Sequence, residues 1–291
     1  MKQVGTYCAK PTPRAAVPEG APQHTLGGYT SAFVVHERFG VKIPPNYPLE
    51  AAGPLLCAGA TLYAPLLRYG CGPGKRVAVV GLGGLGAIGC KIAKALGAKV
   101  IAVTRSRAKA DFAREKCGAD AVLLSSDAAA MASAAATCDL IMNTIPVEHD
   151  YSQYNSLLAK GGKQVLLGLH SGLVAGLVAK ACTGGGSSVV GSVIGGIAAT
   201  QAVVDLCAAK GIMPELRVIQ PQGIAAAYEA LAAQNESGER FVIDLQSLKD
   251  GSAFEACGAV PPPRLPPPGP PISVCSIIGA TLKLLCCTRR Y

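Results

Sequence analysis

Three glycines, Gly81, Gly83 and Gly86, stand between a short apolar run at 76–80 and a helical pattern at 85–96. Gly-x-Gly-x-x-Gly spacing is weakly specific by itself, because 35 of the 291 residues are glycine. Between a strand and a helix it acquires a mechanism. Gly81 permits a tight turn, Gly83 lets the backbone approach a pyrophosphate, and Gly86 lets helix and strand pack closely. Gly84 and Leu85 complete the motif, and the helix N-terminus behind it offers unpaired N–H groups and partial positive charge to phosphate oxygens. The expectation is a dinucleotide site; the alternative is a glycine-rich turn with no ligand.

The second group with chemical content is Thr104-Arg105-Ser106-Arg107-Ala108-Lys109. It follows the next strand, about twenty residues past the glycines, where an NAD-binding fold carries an Asp or Glu for the ribose 2′-hydroxyl. Here the first carboxylate is Asp111. Arg105 and Lys109 would pair with a 2′-phosphate through charge-assisted hydrogen bonds, and Thr104 and Ser106 add hydroxyl donors. The charge pattern favours NADP(H) over NAD(H), while Arg107 reads as a solvated cation on the following helix.

These residues need a scaffold that alternates strand and helix, and the chain supplies one. Strand-like runs fall at 76–80, 99–103, 121–124, 140–143, 163–167 and 189–193, with helical patterns at 85–96, 107–116, 128–135 and 151–158. Six strands in this alternation predict a doubly wound parallel sheet with ligands across its carboxyl ends. Before it, strand-forming residues lie between Tyr29 and Val41, and a helical pattern at 49–67 is crossed by Cys57-Ala58-Gly59. After it come a helix at 200–210, a strand at 216–219, a helix at 224–232 and a strand at 240–244.

Composition narrows the class. Half the residues are apolar, only 5% are aromatic and Trp is absent. That is the composition of an aliphatic α/β core. The net charge of +9 is scattered and not interleaved with aromatics, so no nucleic-acid partner is expected. Twelve cysteines include no Cys-x-x-Cys, and several sit in apolar periodic segments where free cysteine acts as a small buried hydrophobe. A reducing, cytoplasmic setting is the expectation. The first 23 residues have no apolar signal-peptide core, and the apolar run 272–287 is interrupted by Lys283, so no membrane association is expected. The stretch 261–271, rich in Pro, predicts an extended or disordered tail over 249–291. Cys286-Cys287 with Arg289-Arg290 leaves a lipid-anchored tail as the alternative.

Several motifs occur together in order: Thr25-Leu-Gly-Gly-Tyr29, Val34-Val-His-Glu-Arg-Phe39, Pro54-Leu-Leu-Cys-Ala-Gly59, Gly72-Pro-Gly-Lys75, the glycine motif, Gly191-Ser-Val-Ile-Gly-Gly196 and Arg240-Phe-Val-Ile-Asp244. From about Gly5 to Leu248 the chain resembles the cinnamyl alcohol dehydrogenase-like branch of the zinc-containing medium-chain dehydrogenases. The resemblance implies reversible reduction of a small aldehyde to a primary alcohol with NADPH, beside a catalytic zinc. It implies an α/β doubly wound parallel Rossmann sheet plus the remnant of a mixed α+β, GroES-like catalytic domain. The domain bounds it implies are 1–56 partial catalytic domain, 57–198 NADP-binding domain, 199–248 return to the catalytic domain, and 249–291 tail. It also implies roles for residues. Cys57 matches a zinc thiolate ligand, and Thr61 lies where the family approaches the nicotinamide. Thr104, Arg105, Ser106 and Lys109 take the 2′-phosphate. Thr144, Gly168 and the segment Ser192 to Gly195, with Ile194, line ribose and nicotinamide. A homodimer through the sheet's last strand is a further implication.

The resemblance has a gap. The family's other catalytic-zinc ligands, an earlier cysteine and a Gly-His-Glu histidine and glutamate, and its four-cysteine structural-zinc lobe do not occur in this sequence. The linker 169–189 also departs from the family's pattern. Read without the resemblance, Cys57 is a buried apolar cysteine. His24, His36, His149 and His170 are expected in solvated loops rather than as replacement ligands. Three functions stay open. The first is an NADP(H)-dependent alcohol dehydrogenase, truncated and impaired in this chain. The second is a catalytically silent NADP(H)-binding protein. The third is a zinc-free reductase of the quinone-reductase kind, which would position donor and acceptor without metal.

Overall fold

Runs of Val, Ile and Ala become strands covered on both faces, which is what a parallel sheet requires. The computed structural model describes residues 37–168, 188–232 and 238–246. Two helices, α1 (Leu49–Pro54) and α2 (Ala60–Arg68), lead into the sheet and are joined by a π-helical turn at Leu55–Gly59. Strands β1 (Arg76–Val80), β2 (Lys99–Thr104), β3 (Ala121–Leu124), β4 (Cys138–Asn143), β5 (Leu158–Leu166) and β6 (Val189–Gly191) come next. They form one parallel sheet in the order β3-β2-β1-β4-β5-β6. The order reverses between β1 and β4, the switch point at which a crevice opens beyond the strand ends. The expected doubly wound sheet is the observed one.

Among the described residues its crossovers are α3 (Gly84–Ala95), α4 (Lys109–Glu115), α5 (Ala128–Ser133) and a 3-10 segment, Tyr151–Leu157. A long helix, α6 (Ile197–Lys210), leads to a second unit: β7 (Leu216–Ile219), α7 (Ile224–Ala232) and β8 (Arg240–Ile243), whose two strands pair in parallel. Side chains alternate across β1. Val77 and Val79 join the larger core cluster with Leu62, Leu66, Ile88, Ile92, Val203 and Cys207, on the face covered by α2, α3 and α6. Ala78 and Val80 join a smaller cluster with Ile101, Leu123, Tyr154 and Leu157 on the opposite face.

Four local readings change. Of the strand expected between Tyr29 and Val41, residues 37–41 are described, and Glu37–Phe39 is an exposed 3-10 turn. Gly40 N–H closes it on Glu37 O at 2.8 Å, and the Arg38 guanidinium lies 4.8 Å from the Phe39 ring centre, so local contacts replace sheet pairing. The helix expected at 151–158 is a 3-10 segment. Asp150 accepts from Ser152 N–H at 2.9 Å, and the Gln164 side-chain amide takes the Tyr151 carbonyl at 3.1 Å, drawing it away from helical pairing. Strand β5 begins at Leu158 because Cys138 pairs with Leu158 before a register shift brings Leu140 opposite Lys163. The helical pattern at 49–67 is interrupted where Cys57-Ala58-Gly59 crosses it, by an i→i−5 turn in which Ala60 N–H reaches Leu55 O. The domain boundary expected after residue 56 thus falls inside this π-helical turn. The linker 169–187 and the tail 249–291 lie outside the described residues, as do His24, His36 and His170.

Candidate functional site

An open cleft of about 1220 Å³ lies beyond the carboxyl ends of β1, β2 and β4 and beneath β8 and α7. The glycine turn forms its centre. Gly81 has φ of 88°, in the left-handed region that favours glycine. Gly86 is pressed against β1's end, and a methyl group there would overlap the Gly81 carbonyl oxygen. Gly83 faces open space, with no heavy atom within 4 Å of where a Cβ would stand. It also caps α3 with no side-chain hydrogen bond, so backbone N–H groups meet the cleft directly. Thr144 holds this turn: its hydroxyl lies 2.9 Å from Val80 O and 3.0 Å from Gly81 O. That hydroxyl shapes the turn that a ligand would meet.

At the end of β2, Thr104, Arg105, Ser106 and Lys109 all line the cleft, as expected, and Arg105 is exposed. Thr104 Oγ1 accepts from Ser106 N–H at 3.1 Å, which curls the chain after the strand. Lys109 reaches back across the glycine turn, with Nζ 3.4 Å from Leu82 O. Gly168 lines the far wall, its backbone packed on the Ile145 carbonyl.

The structure adds groups that sequence reading left aside. His149, expected in a solvated loop, lines the cleft and is half-buried. Its Nε2 lies 2.9 Å from Asn143 Nδ2 and its Nδ1 lies 2.8 Å from Val147 O. An amide nitrogen only donates and a carbonyl only accepts, so Nε2 accepts and Nδ1–H donates. Asn143, 1% exposed, also takes Ile145 N–H on Oδ1 at 3.2 Å. Gln164 extends this lattice, with its amide nitrogen 2.9 Å from Asn155 Oδ1. Together they fix the loop 144–149 that floors the cleft. From the other side Arg240 of β8 lies over Gly84, so close that a methyl group on Gly84 would overlap its Nε. Glu239, also at the cleft, is paired with Arg217 at 2.9 Å.

Four expected residues are not among those that line the cleft. Cys57 sits half-buried in the π-helical turn, and its carbonyl accepts the Thr61 hydroxyl at 2.7 Å. Thr61 is 7% exposed and does not line the cleft. Ser192 continues the β6 ladder through its N–H to Leu166 O at 3.1 Å, and Ile194 has φ of 48°, a strained value for a β-branched residue. Gly195 packs on Ala60 and Ala64 of α2, so this segment and the Thr61 helix are neighbours.

Zinc does not fit the described residues. A catalytic zinc takes about three protein ligands and keeps one position open. Among the described residues no three His, Cys, Asp or Glu side chains are placed to hold a metal ion. Cys57 stands as one candidate thiolate.

Comparison with known proteins gives the lineage. Residues 84–209 match the sequence profile of the zinc-binding dehydrogenases. Aldehyde reductase YahK of Escherichia coli is 41% identical over 84% of the chain and 68% of its own length. NADP-dependent alcohol dehydrogenase C 1 of Mycolicibacterium smegmatis is 42% identical over 84% of the chain and 67% of its own. A cinnamyl alcohol dehydrogenase structure from Sorghum bicolor superposes with a TM-score of 0.62 and 35% identity, covering 77% of the chain and 60% of that structure. The chain therefore spans about two thirds of the length of these two curated relatives and less of the sorghum structure.

Proposed function

We propose a function for this chain from the family to which it belongs, the cinnamyl alcohol dehydrogenase-like branch of the zinc-binding dehydrogenases. The cleft holds NADP(H), and the activity is that of an alcohol dehydrogenase or aldehyde reductase acting on a small aldehyde or primary alcohol. When bound, the cofactor would supply hydride to the aldehyde carbonyl or accept it from the alcohol. This chain's own residues would bind and orient it. The α3 N-terminus, bared at Gly83, and Arg240 above Gly84 supply positive charge where a pyrophosphate would lie. Thr144, Gly168 and Ser192 to Gly195 would support the ribose and nicotinamide.

The observation that carries the cofactor choice is the end of β2, where Arg105 and Lys109 line the cleft and no carboxylate precedes Asp111. Arg105→Ala should weaken NADPH about tenfold to a hundredfold, the worth of one or two charge-assisted hydrogen bonds, and leave NADH nearly unaffected. Titration calorimetry of both nucleotides checks this, and an unchanged affinity ratio would overturn the choice of NADP(H).

A second reading, a protein that binds NADP(H) without turnover, draws support from the described residues, which bring no three metal-ligating side chains together. Purified protein that binds NADPH and leaves aldehydes untouched would favour it; measured aldehyde reduction would favour the first. With either reading we place residues 57–198 as the cofactor domain and 1–56 with 199–248 as parts of a catalytic domain. A cytoplasmic homodimer completes the proposal, joined through β6, which ends the sheet order among the described residues.

A further inference from the structure

The loop 144–149 follows β4 along the cleft, and its role as inferred here rests on the NADP(H) reading. Every residue of the loop lines the cleft. At one end Thr144 holds the Val80 and Gly81 carbonyls, and Ile145 stands against Gly81, where a Cβ would meet its Cγ1 at 3.2 Å. At the other end the loop is tied down through His149, and the hydrogen bonds there can run in one direction only. Gln164 Nε2 donates to Tyr151 O at 3.1 Å and to Asn155 Oδ1 at 2.9 Å, so Oε1 is the atom turned to Asn143, 3.5 Å from its Nδ2. Asn143 Oδ1 accepts from the Ile145 N–H at 3.2 Å, which leaves Nδ2 to donate to His149 Nε2 at 2.9 Å. His149 Nδ1–H donates to Val147 O at 2.8 Å. This arrangement accepts a neutral imidazole in one tautomer.

A proton on Nε2 would face an amide N–H of Asn143, a residue 1% exposed. Turning the Asn143 amide over does not resolve the clash. Its oxygen would accept from Nε2–H but would face Gln164 Oε1, and its nitrogen would face the Ile145 N–H. One hydrogen bond is gained and two are lost. The half-buried ring leaves for solvent instead, and the loop loses its far anchor. The surrounding charges do not reverse this. Glu148 and Asp150, beside it in the chain, are exposed and favour the imidazolium only weakly. The 3-10 segment presents the Tyr154 ring at 6.3 Å, and β4 and β5 present the neutral amides of Asn143 and Gln164. Arg105, Lys109 and Arg240, with one carboxylate, Glu239, line the other walls of the cleft. We infer that His149 is a positioning residue for NADP(H) that holds the cleft floor only while neutral, so that nucleotide affinity falls as its imidazole takes up a proton.

Calorimetry of the full chain with NADP+ at about pH 7.5 and about pH 5.5, across the range in which imidazoles titrate, tests this. His149→Gln keeps an acceptor for Asn143 that does not ionise, and His149→Ala keeps none. The 2′-phosphate also takes up a proton in this range, and His24, His36 and His170 stay in every variant. Comparison with His149→Gln cancels both effects. On acidification the wild-type Kd should rise about threefold to tenfold more than that of His149→Gln, the worth of one hydrogen bond. His149→Ala should be weakened by a similar factor already at the higher pH, and His149→Gln should recover most of that loss. An equal rise in wild type and His149→Gln overturns the inference alone. So does tighter wild-type binding in acid, which would mean an imidazolium that grips phosphate. If thermal melting shows the variants unfolded, the wild-type chain carries the test through hydrogen exchange. The protection factor of the Ile145 N–H should then fall severalfold in acid, and an unchanged factor overturns the inference. A wild-type chain that binds no NADP+ at either pH overturns the NADP(H) reading and the inference with it.

Discussion

The three glycines of the turn share a spacing and differ in physical duty. Gly86 is a packing position, where a methyl group would overlap the Gly81 carbonyl. Gly83 has φ of −89° and open space before it, so alanine fits the free protein. Gly86→Ala should therefore destabilise the fold by about 3 kcal/mol, as overpacking against backbone does. Gly83→Ala should unfold within about 1 kcal/mol of wild type, the difference between glycine and alanine at a helix cap, and yet lose most of its NADPH affinity. Urea unfolding with calorimetry separates the two, and unaltered NADPH binding by Gly83→Ala would remove the pyrophosphate from this turn. The spacing made the turn legible, and charge made Arg105 and Lys109 legible. Asn143 and His149 were not, because their duties arise from strand order and from side chains that meet only after folding. Gln164 meets Asn155 across nine positions, and Asn143 meets His149 from the loop behind β4. Ile194 was legible as part of a motif, while its strained φ is a property of the folded path beside α2.

Strands were legible where short apolar runs stop at glycine or polar residues, as at β3 and β1. The missed features are those set by a neighbouring element, such as the early start of β5, which needs Cys138 opposite Leu158. Two carboxylates at strand ends also act between elements. Asp139 at β4 accepts from Arg76 N–H at the start of β1 and from Lys75 Nζ, both at 2.9 Å. Asp120 accepts from Val100 N–H of β2 at 2.8 Å and pairs with Lys94 at the end of α3. The Arg76 N–H, with Lys75, lowers the Asp139 pKa below its ordinary 3.8, and Lys94 followed by the Val100 N–H does the same for Asp120. A depressed folded pKa means stability that is complete above the unfolded value and lost as pH falls through the folded one. The loss should thus begin just below pH 4 and continue towards the lower folded values. Asp139→Asn should cost about 1 kcal/mol at neutral pH, since a partly exposed carboxylate is replaced by a weaker acceptor. It should also flatten the acid limb of the stability curve. Urea titrations at pH 7 and pH 3 measure both, and an acid limb as steep as in wild type would assign the pH dependence to other groups.

At the scale of the molecule, segments far apart in the chain close on one another. Lys42 exchanges two hydrogen bonds of 2.8 Å with the Gln201 side chain of α6, and the Tyr47 hydroxyl donates to Ile212 O at 2.7 Å. Lys91 of α3, 17% exposed, reaches Met213 O at 2.7 Å and Glu215 at 2.8 Å. The β7–α7–β8 unit is therefore fastened to the helix whose N-terminus carries the glycine turn, and Arg240 roofs that turn from β8. A nucleotide gripped between Gly83 and Arg240 would tie the two units together. Saturation at a hundred times Kd should raise stability by about 2.7 kcal/mol, and the gain should appear in both units. Hydrogen exchange with and without NADPH should show added protection at residues 81–86 and also at 240–243. Because the β7–β8 sheet has two strands among the described residues, it should be the less protected unit in the free chain and should show the larger increase. Lys91→Met removes the fastening without touching the cleft lining. It should lower protection of 216–219 and 240–243 in the free chain and leave the six-stranded sheet as it was. NADPH should then restore most of the lost protection, because the nucleotide makes its own bridge. Protection confined to 81–86, with β8 unchanged in both proteins, would mean that Arg240 does not share the ligand and that the roof moves independently of the site.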